Sequence, residues 1–147
     1  MYATILVPLD GSQRAERILP HVEALAQRCK STVILLQVID PMTTVMPFRG
    51  GGPVLAPTLL DEYTKNSQHY LSGLQTKLRA KQLEVKSMIK IGAPVTTILE
   101  MAEQENADLI AMASHGRTGL ARVFYGSVTA GIMQQVDRPL LLIRAQE

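Results

Sequence analysis

Thr4-Ile5-Leu6-Val7-Pro8-Leu9-Asp10-Gly11-Ser12 is a short apolar run that stops at a carboxylate, a glycine and a hydroxyl. So continuous a run predicts a strand covered on both faces, as in a parallel sheet. Three more runs share this character: Thr32-Val33-Ile34-Leu35-Leu36-Gln37-Val38, Leu109-Ile110-Ala111-Met112-Ala113 and Leu140-Leu141-Leu142-Ile143. A fifth, Val85 to Ile91, alternates instead: Val85, Ser87, Ile89 and Ile91 are interleaved with Lys86, Met88 and Lys90. That period of two predicts an edge strand with one face exposed.

The intervening segments read as helices. Ile18, Val22, Leu25 and Cys29 recur at helical spacing and leave Glu16, Arg17, Glu23 and Arg28 toward water. Pro20 falls inside that stripe and predicts a kink or a broken hydrogen bond. Leu60, Tyr63, Ser67, Leu71, Leu74 and Leu78 mark a longer helix from about Pro57 to about Lys81. A short helix is expected over Val95 to Gln104 with Pro94 in its first turn. The last runs from about Ser127 to Val136, and Pro139 stops it. The order βαβαβαβαβ implies an α/β fold, an open five-stranded parallel sheet with helices on both faces. Right-handed crossovers and one reversal put the switch point, where ligands bind, beside the C-terminal end of the first strand. At 147 residues and ~150 per domain, one domain spanning 1–147 is expected.

Composition narrows the function classes. Hydrophobic residues at 46% and charged residues at 19% argue against disorder. A net charge of +2, 4% aromatic residues and no Trp give neither a concentrated basic face nor a base-stacking platform, so no nucleic acid partner is expected. The single cysteine, Cys29, cannot form an internal disulfide and suits a reducing cytoplasm. Met1 to Val7 lacks the basic region of a signal peptide, and no stretch nears the roughly 18 apolar residues of a membrane span.

Two segments are candidates for ligand chemistry. After the fourth run come Ser114-His115-Gly116-Arg117-Thr118-Gly119 and then Gly126-Ser127-Val128-Thr129 at the start of a helix. A helix N-terminus offers unpaired N–H groups and partial positive charge, which suits phosphate; the bland alternative is a glycine turn with Ser127 as helix cap. Asp10, at the end of the first strand, can accept ribose hydroxyls or cap the first helix, a job Ser12 can also do. In a parallel sheet both segments lie at the same end, and that convergence outweighs either motif.

Taken together, Ile5-Leu6-Val7-Pro8-Leu9-Asp10-Gly11-Ser12, Leu36-Gln37-Val38-Ile39-Asp40, Ile91-Gly92-Ala93-Pro94, Ala107 to Gly116, Gly126-Ser127-Val128-Thr129 and Arg138 to Ile143 resemble the universal stress protein family, small single-domain type, across essentially the whole length. The resemblance implies a Rossmann-like fold of the adenine-nucleotide alpha-hydrolase-like kind. The family's ATP-binding members carry Gly, two residues, Gly, nine residues, then Gly and Ser or Thr. Gly116, Arg117 to Tyr125 and Gly126-Ser127 match the second half, while Ala113 stands at the first glycine and adds a methyl there. By resemblance Pro8, Leu9 and Asp10 lie against adenosine, with Asp10 on the ribose. Val38 meets adenine through its backbone, and Met112 and Ala113 line base and sugar. Gly116, Gly126, Ser127, Val128 and Thr129 hold the phosphates. The implied cofactor is ATP, with ADP or AMP as alternatives, and Mg²⁺ or Mn²⁺ carried through phosphate oxygens; no metal cluster is expected. The resemblance also implies a homodimer through Leu140 to Ile143.

Other residues invite competing readings. Arg117 and Arg122 are either phosphate contacts through charge-assisted hydrogen bonds or solvated loop charges. His115 adjoins the phosphate segment without a nucleophile or orienting carboxylate, so no catalytic residue is assigned. Cys29 falls on an apolar stripe and reads as packing. Asp40 to Pro57, with four prolines and Gly50-Gly51-Gly52, predicts a flexible flap near the ligand carrying Met42 and Met46; it lacks the lysine and Ser/Thr of a P-loop. The function expected is an ATP-binding, nucleotide-dependent regulatory or stress-response protein. The alternatives are a slow ATPase or self-phosphorylating protein using Ser127, Thr129 or His115, and a dimeric interaction protein that uses no nucleotide.

Overall fold

All five apolar runs form strands in the computed structural model, which describes residues 1–42, 57–115 and 126–145. The strands are β1 Thr4–Leu9, β2 Thr32–Ile39, β3 Glu84–Ile91, β4 Leu109–His115 and β5 Leu140–Ala145. Between them run α1 Leu19–Cys29, α2 Pro57–Arg79, α3 Pro94–Gln104 and α4 Ser127–Gln135. Every pairing is parallel, and the order is β3-β2-β1-β4-β5. The chain builds outward from β1 to β3, then crosses back to lay β4 on β1's other side. The switch point therefore falls between β1 and β4, as the chain reversal implies.

Alternate residues of the inner strands feed two cores. Ile5, Val7, Val33 and Leu35 pack with Ile18, Val22, Leu71, Leu74 and Leu78 from the α1–α2 side. Leu6, Ile34, Leu36, Ile110 and Met112 pack with Ile98, Met101 and Ile132 from the α3–α4 side. Helices thus cover both faces, which is why the middles of these strands are nearly continuous apolar runs.

Three local expectations change. Pro20 is not interior: a 3₁₀ turn over Ala15–Ile18 precedes α1, and Pro20 sits in α1's first turn, where its missing N–H leaves no bond unmade. β5 reads as a strand covered on both faces, but Leu140 to Ile143 are only half-buried; the strand lies at a sheet edge. β3 is the expected edge strand, but it contributes to both faces. Val85 and Ile89 join the α1–α2 core and Met88 the other, while Lys86, Ser87, Lys90 and Ile91 stay exposed. The glycine-rich flap and Met46 lie outside the described residues.

Asp108, just before β4, ties β1 down. Its carboxylate accepts the backbone N–H groups of Ala3 at 2.8 Å and Thr4 at 2.9 Å. Partial burial pushes this carboxyl up, but the two amide donors outweigh it and hold it below the usual range. A depressed carboxyl contributes stability above its unfolded value of about 3.9, and that contribution fades as pH falls through the lower folded value. Asp108→Ala is expected to cost about 1 kcal/mol at neutral pH and to flatten the acid limb. Urea melts from pH 6 to pH 2.5 check this; equal acid sensitivity in both proteins would refute it.

Candidate functional site

The opening of the site begins with one missing hydrogen. Thr32 N–H donates to Ala3 and Asp108 N–H donates to Thr4, so odd residues of β1 face β2 and even residues face β4. Pro8 therefore faces β4 and has no N–H to offer it. The ladder to β2 runs on to Leu9 beside Gln37, whereas the register with β4 ends at Leu6 beside Ile110. Beyond that rung the two strands part, and a cavity of about 210 Å³ lies at their C-terminal ends.

Six elements wall this cavity, four of them expected from the sequence. The β1 end supplies Pro8, Leu9 and Asp10, and β2 supplies Leu36 and Val38. Met112 and Ala113 come from β4, and Gly126, Ser127, Val128 and Thr129 from the start of α4. Ten of the twelve residues expected from sequence thus meet at one place. The other two, Gly116 and Arg117, lie outside the described residues, as does Arg122. Ala15, Pro94 and Ile98 complete the wall with Leu36, and these four were missed. Leu36 was legible in principle, being two residues before Val38 on the same strand face. Pro94 follows β3, whose C-terminal end topology brings to this side, and Ile98 lies one helical turn further.

The polar groups of a largely apolar wall come from two segments. In one, Asp10 Oδ1 accepts the Ser12 N–H at 2.9 Å and the Ser12 hydroxyl at 2.6 Å. Ser12 Oγ in turn accepts the Ala15 N–H at 3.1 Å. Both sequence roles are thus divided: Ser12 ties down the 3₁₀ turn while Asp10 organises the bend and lines the cavity. Gly11, at φ +87, takes a left-handed conformation that a side chain would strain. In the other, α4 begins at Ser127, and its N-cap is Gly126, which has no side chain to cap with, so Ser127 is not the helix cap. The first helix bond is Ala130 N–H to Gly126 at 2.9 Å, which leaves the N–H groups of Ser127, Val128 and Thr129 as first-turn donors. Among the described lining residues Asp10 is the one ionisable side chain. No cluster of three or more His, Cys, Asp or Glu fit for a metal occurs among the described residues.

The site is thus a largely apolar cavity at the switch point of an open parallel α/β sheet, the place where ligands bind in such folds, lined by one carboxylate and by the first turn of α4. The sequence pattern of the universal stress protein family matches residues 1–144, and the chain belongs to that family. It is 30% identical to universal stress protein MJ0577 of Methanocaldococcus jannaschii, over 98% of this chain and 96% of that one. The solved structure of MJ0577 superposes with a TM-score of 0.84 at 31% identity, over 100% of this chain and 99% of that one. Two more distant structures share the fold. One is a universal stress protein in complex with cAMP, with a TM-score of 0.70 at 19% identity over 99% and 98% of the two chains. The other is from Archaeoglobus fulgidus in complex with dAMP, with a TM-score of 0.67 at 21% identity over 97% and 98%. No helix among the described residues is long and apolar enough to cross a membrane.

Proposed function

We propose that this chain binds ATP at the β1–β4 cavity and works as a nucleotide-dependent regulatory module in the cytoplasm. The observation that carries this is that Asp10 and the first turn of α4, two segments far apart in sequence, line one largely apolar cavity. The apolar walls suit a purine, Asp10 suits ribose hydroxyls, and the first-turn N–H groups of α4, without a partner among the described residues, suit phosphate. At about 210 Å³ the space falls below the ~300–1,000 Å³ of clefts that enclose a whole ligand. A nucleoside seated there leaves its phosphates over the α4 end. Two relatives in fold carry cAMP and dAMP, ligands with the same adenine and phosphate parts. A divalent cation would be held by phosphate oxygens, because Asp10 alone makes no metal site. With a single ionisable group on the described wall, binding rather than turnover is the chemistry supported.

The exposed edge at β5 supports a second element of the proposal. Leu140 to Ile143 are half-buried apolar residues on an unpaired edge strand, a surface that a second copy would cover. Native mass spectrometry of undialysed protein tests both parts together. The expected species is a dimer with one adenine nucleotide per chain, and the mass added distinguishes ATP from ADP or AMP. Monomer at micromolar concentration would overturn the dimer. Empty protein that also fails to saturate at millimolar ATP would overturn the nucleotide role.

A further inference from the structure

Tyr70 lies in the middle of α2, on the face that packs against the α1–α2 core, and it takes no part in lining the cavity. Its hydroxyl donates to Glu16 Oε2 at 3.0 Å, across 54 residues of chain. Glu16 belongs to the 3₁₀ turn Ala15–Ile18. Its neighbour Ala15 lines the cavity and gives its N–H to Ser12 Oγ, whose hydroxyl hydrogen goes to Asp10 Oδ1. A continuous path of hydrogen bonds and one peptide unit therefore runs from α2 to the carboxylate on the cavity rim.

We infer that Tyr70 is a positioning residue for the ligand site: by holding Glu16 it fixes the 3₁₀ turn and, through Ala15 and Ser12, sets the carboxylate of Asp10. The role follows from what each link lacks. Of the four residues of the 3₁₀ turn, Ile18 is held by burial in the core, whereas the end that faces the cavity is held by side-chain bonds, Ala15 by Ser12 Oγ and Glu16 by Tyr70. Asp10 and Gly11 are exposed, so packing does not fix the bend. Tyr70 anchors the turn to a 23-residue helix whose Leu71, Leu74 and Leu78 are buried in the core. Burial, the hydrogen bond to Glu16, and the charges of Glu16 and Asp10 all push the Tyr70 hydroxyl well above its ordinary value. It therefore stays protonated, and a donor, at any working pH.

The inference rests on the proposed nucleotide role only for its consequence, not for its geometry, and the experiment separates the two. Tyr70→Phe removes the hydroxyl and keeps the ring; Glu16→Gln keeps an acceptor for it. Amide hydrogen exchange on the ligand-free proteins reads the turn directly. Titration with ATP and with 2′,3′-dideoxy-ATP reads the ribose contact. In Tyr70→Phe the Ser12 and Ala15 amides are expected to exchange about fivefold faster while amides of the β1 and β2 core keep their protection. ATP affinity should fall about fivefold, the worth of one hydrogen bond, while dideoxy-ATP affinity stays as in the wild type. Glu16→Gln should stay near wild type in both readouts. Unchanged Ser12 and Ala15 exchange in Tyr70→Phe overturns the inference, as does an equal loss for both nucleotides. A wild-type chain that binds neither nucleotide overturns the proposed function, and the exchange data still decide the role of Tyr70.

Discussion

Ser127→Pro is expected to weaken nucleotide binding by an order of magnitude or more while leaving the fold intact. Ser127 is the first residue of α4, the position at which proline is most welcome in a helix, because the N–H there has no intrahelical partner. The residue before a proline must be extended, and Gly126 already is, at φ −55 and ψ 161. The Ser127 side chain is exposed, so its loss leaves no hole. What disappears is one N–H at the mouth of the cavity, together with a hydroxyl. A hydrogen bond to a charged group contributes about 1.5–3 kcal/mol, or roughly 10–150-fold in affinity. Ser127→Ala removes the hydroxyl alone and should lose much less. Calorimetric titration with ATP, AMP and adenosine discriminates the causes. Both nucleotides should weaken sharply and adenosine should not. If adenosine weakens equally, the helix has moved and its N–H groups are not the phosphate site.

Much of this site was legible in the residues because topology does the work of bringing it together. Asp10 and Gly126 are 116 positions apart, yet parallel strands put every strand's C-terminal end on the same side, so two short motifs could be read as one site. The role of Pro8 was not legible. Its missing N–H matters only because even residues of β1 face β4, and strand order follows from crossovers rather than from hydrophobic period. The cover over β5 was also misjudged, since Leu140 to Ile143 read as buried on both faces and are only half-buried: composition reports how apolar a strand is, not how much of it its neighbours cover. Pro20 shows the complementary limit. A helical stripe from Ile18 to Cys29 cannot reveal that its first turn is wound as 3₁₀, with Leu19 and Ala26 buried and Leu25 and Cys29 only half-buried. Tyr70 carried no signal at all, because its meaning depends on a contact to Glu16 that only the folded chain makes.

Gly131→Val is expected to be strongly destabilising and to damage the cavity from its far side. A Cβ at position 131 would stand 2.6 Å from Cγ2 of Val95 and 3.2 Å from its Cγ1. Val95 cannot swing aside easily: it is β-branched, so its χ1 is stiff, and it packs against the α3–α4 core. Overpacking of this kind costs about 1–3 kcal/mol, and the branched side chain belongs at the upper end. The gain in helix propensity over glycine is under about 1 kcal/mol and does not offset it. Relief must come from α3 and α4 separating. α3 carries Pro94 and Ile98 and α4 carries Gly126 to Thr129, so the two helices that part are two walls of the cavity. A fall in melting temperature of about 5–10 °C should therefore accompany weaker nucleotide binding. The pair Val95→Ala and Gly131→Val moves the methyl groups from one helix to the other and restores room. Each change alone should destabilise, and the double variant should be more stable than the sum of the two losses predicts. Strict additivity in thermal melts would mean that the helices do not meet at this contact, and that the spacing of the cavity walls is set elsewhere.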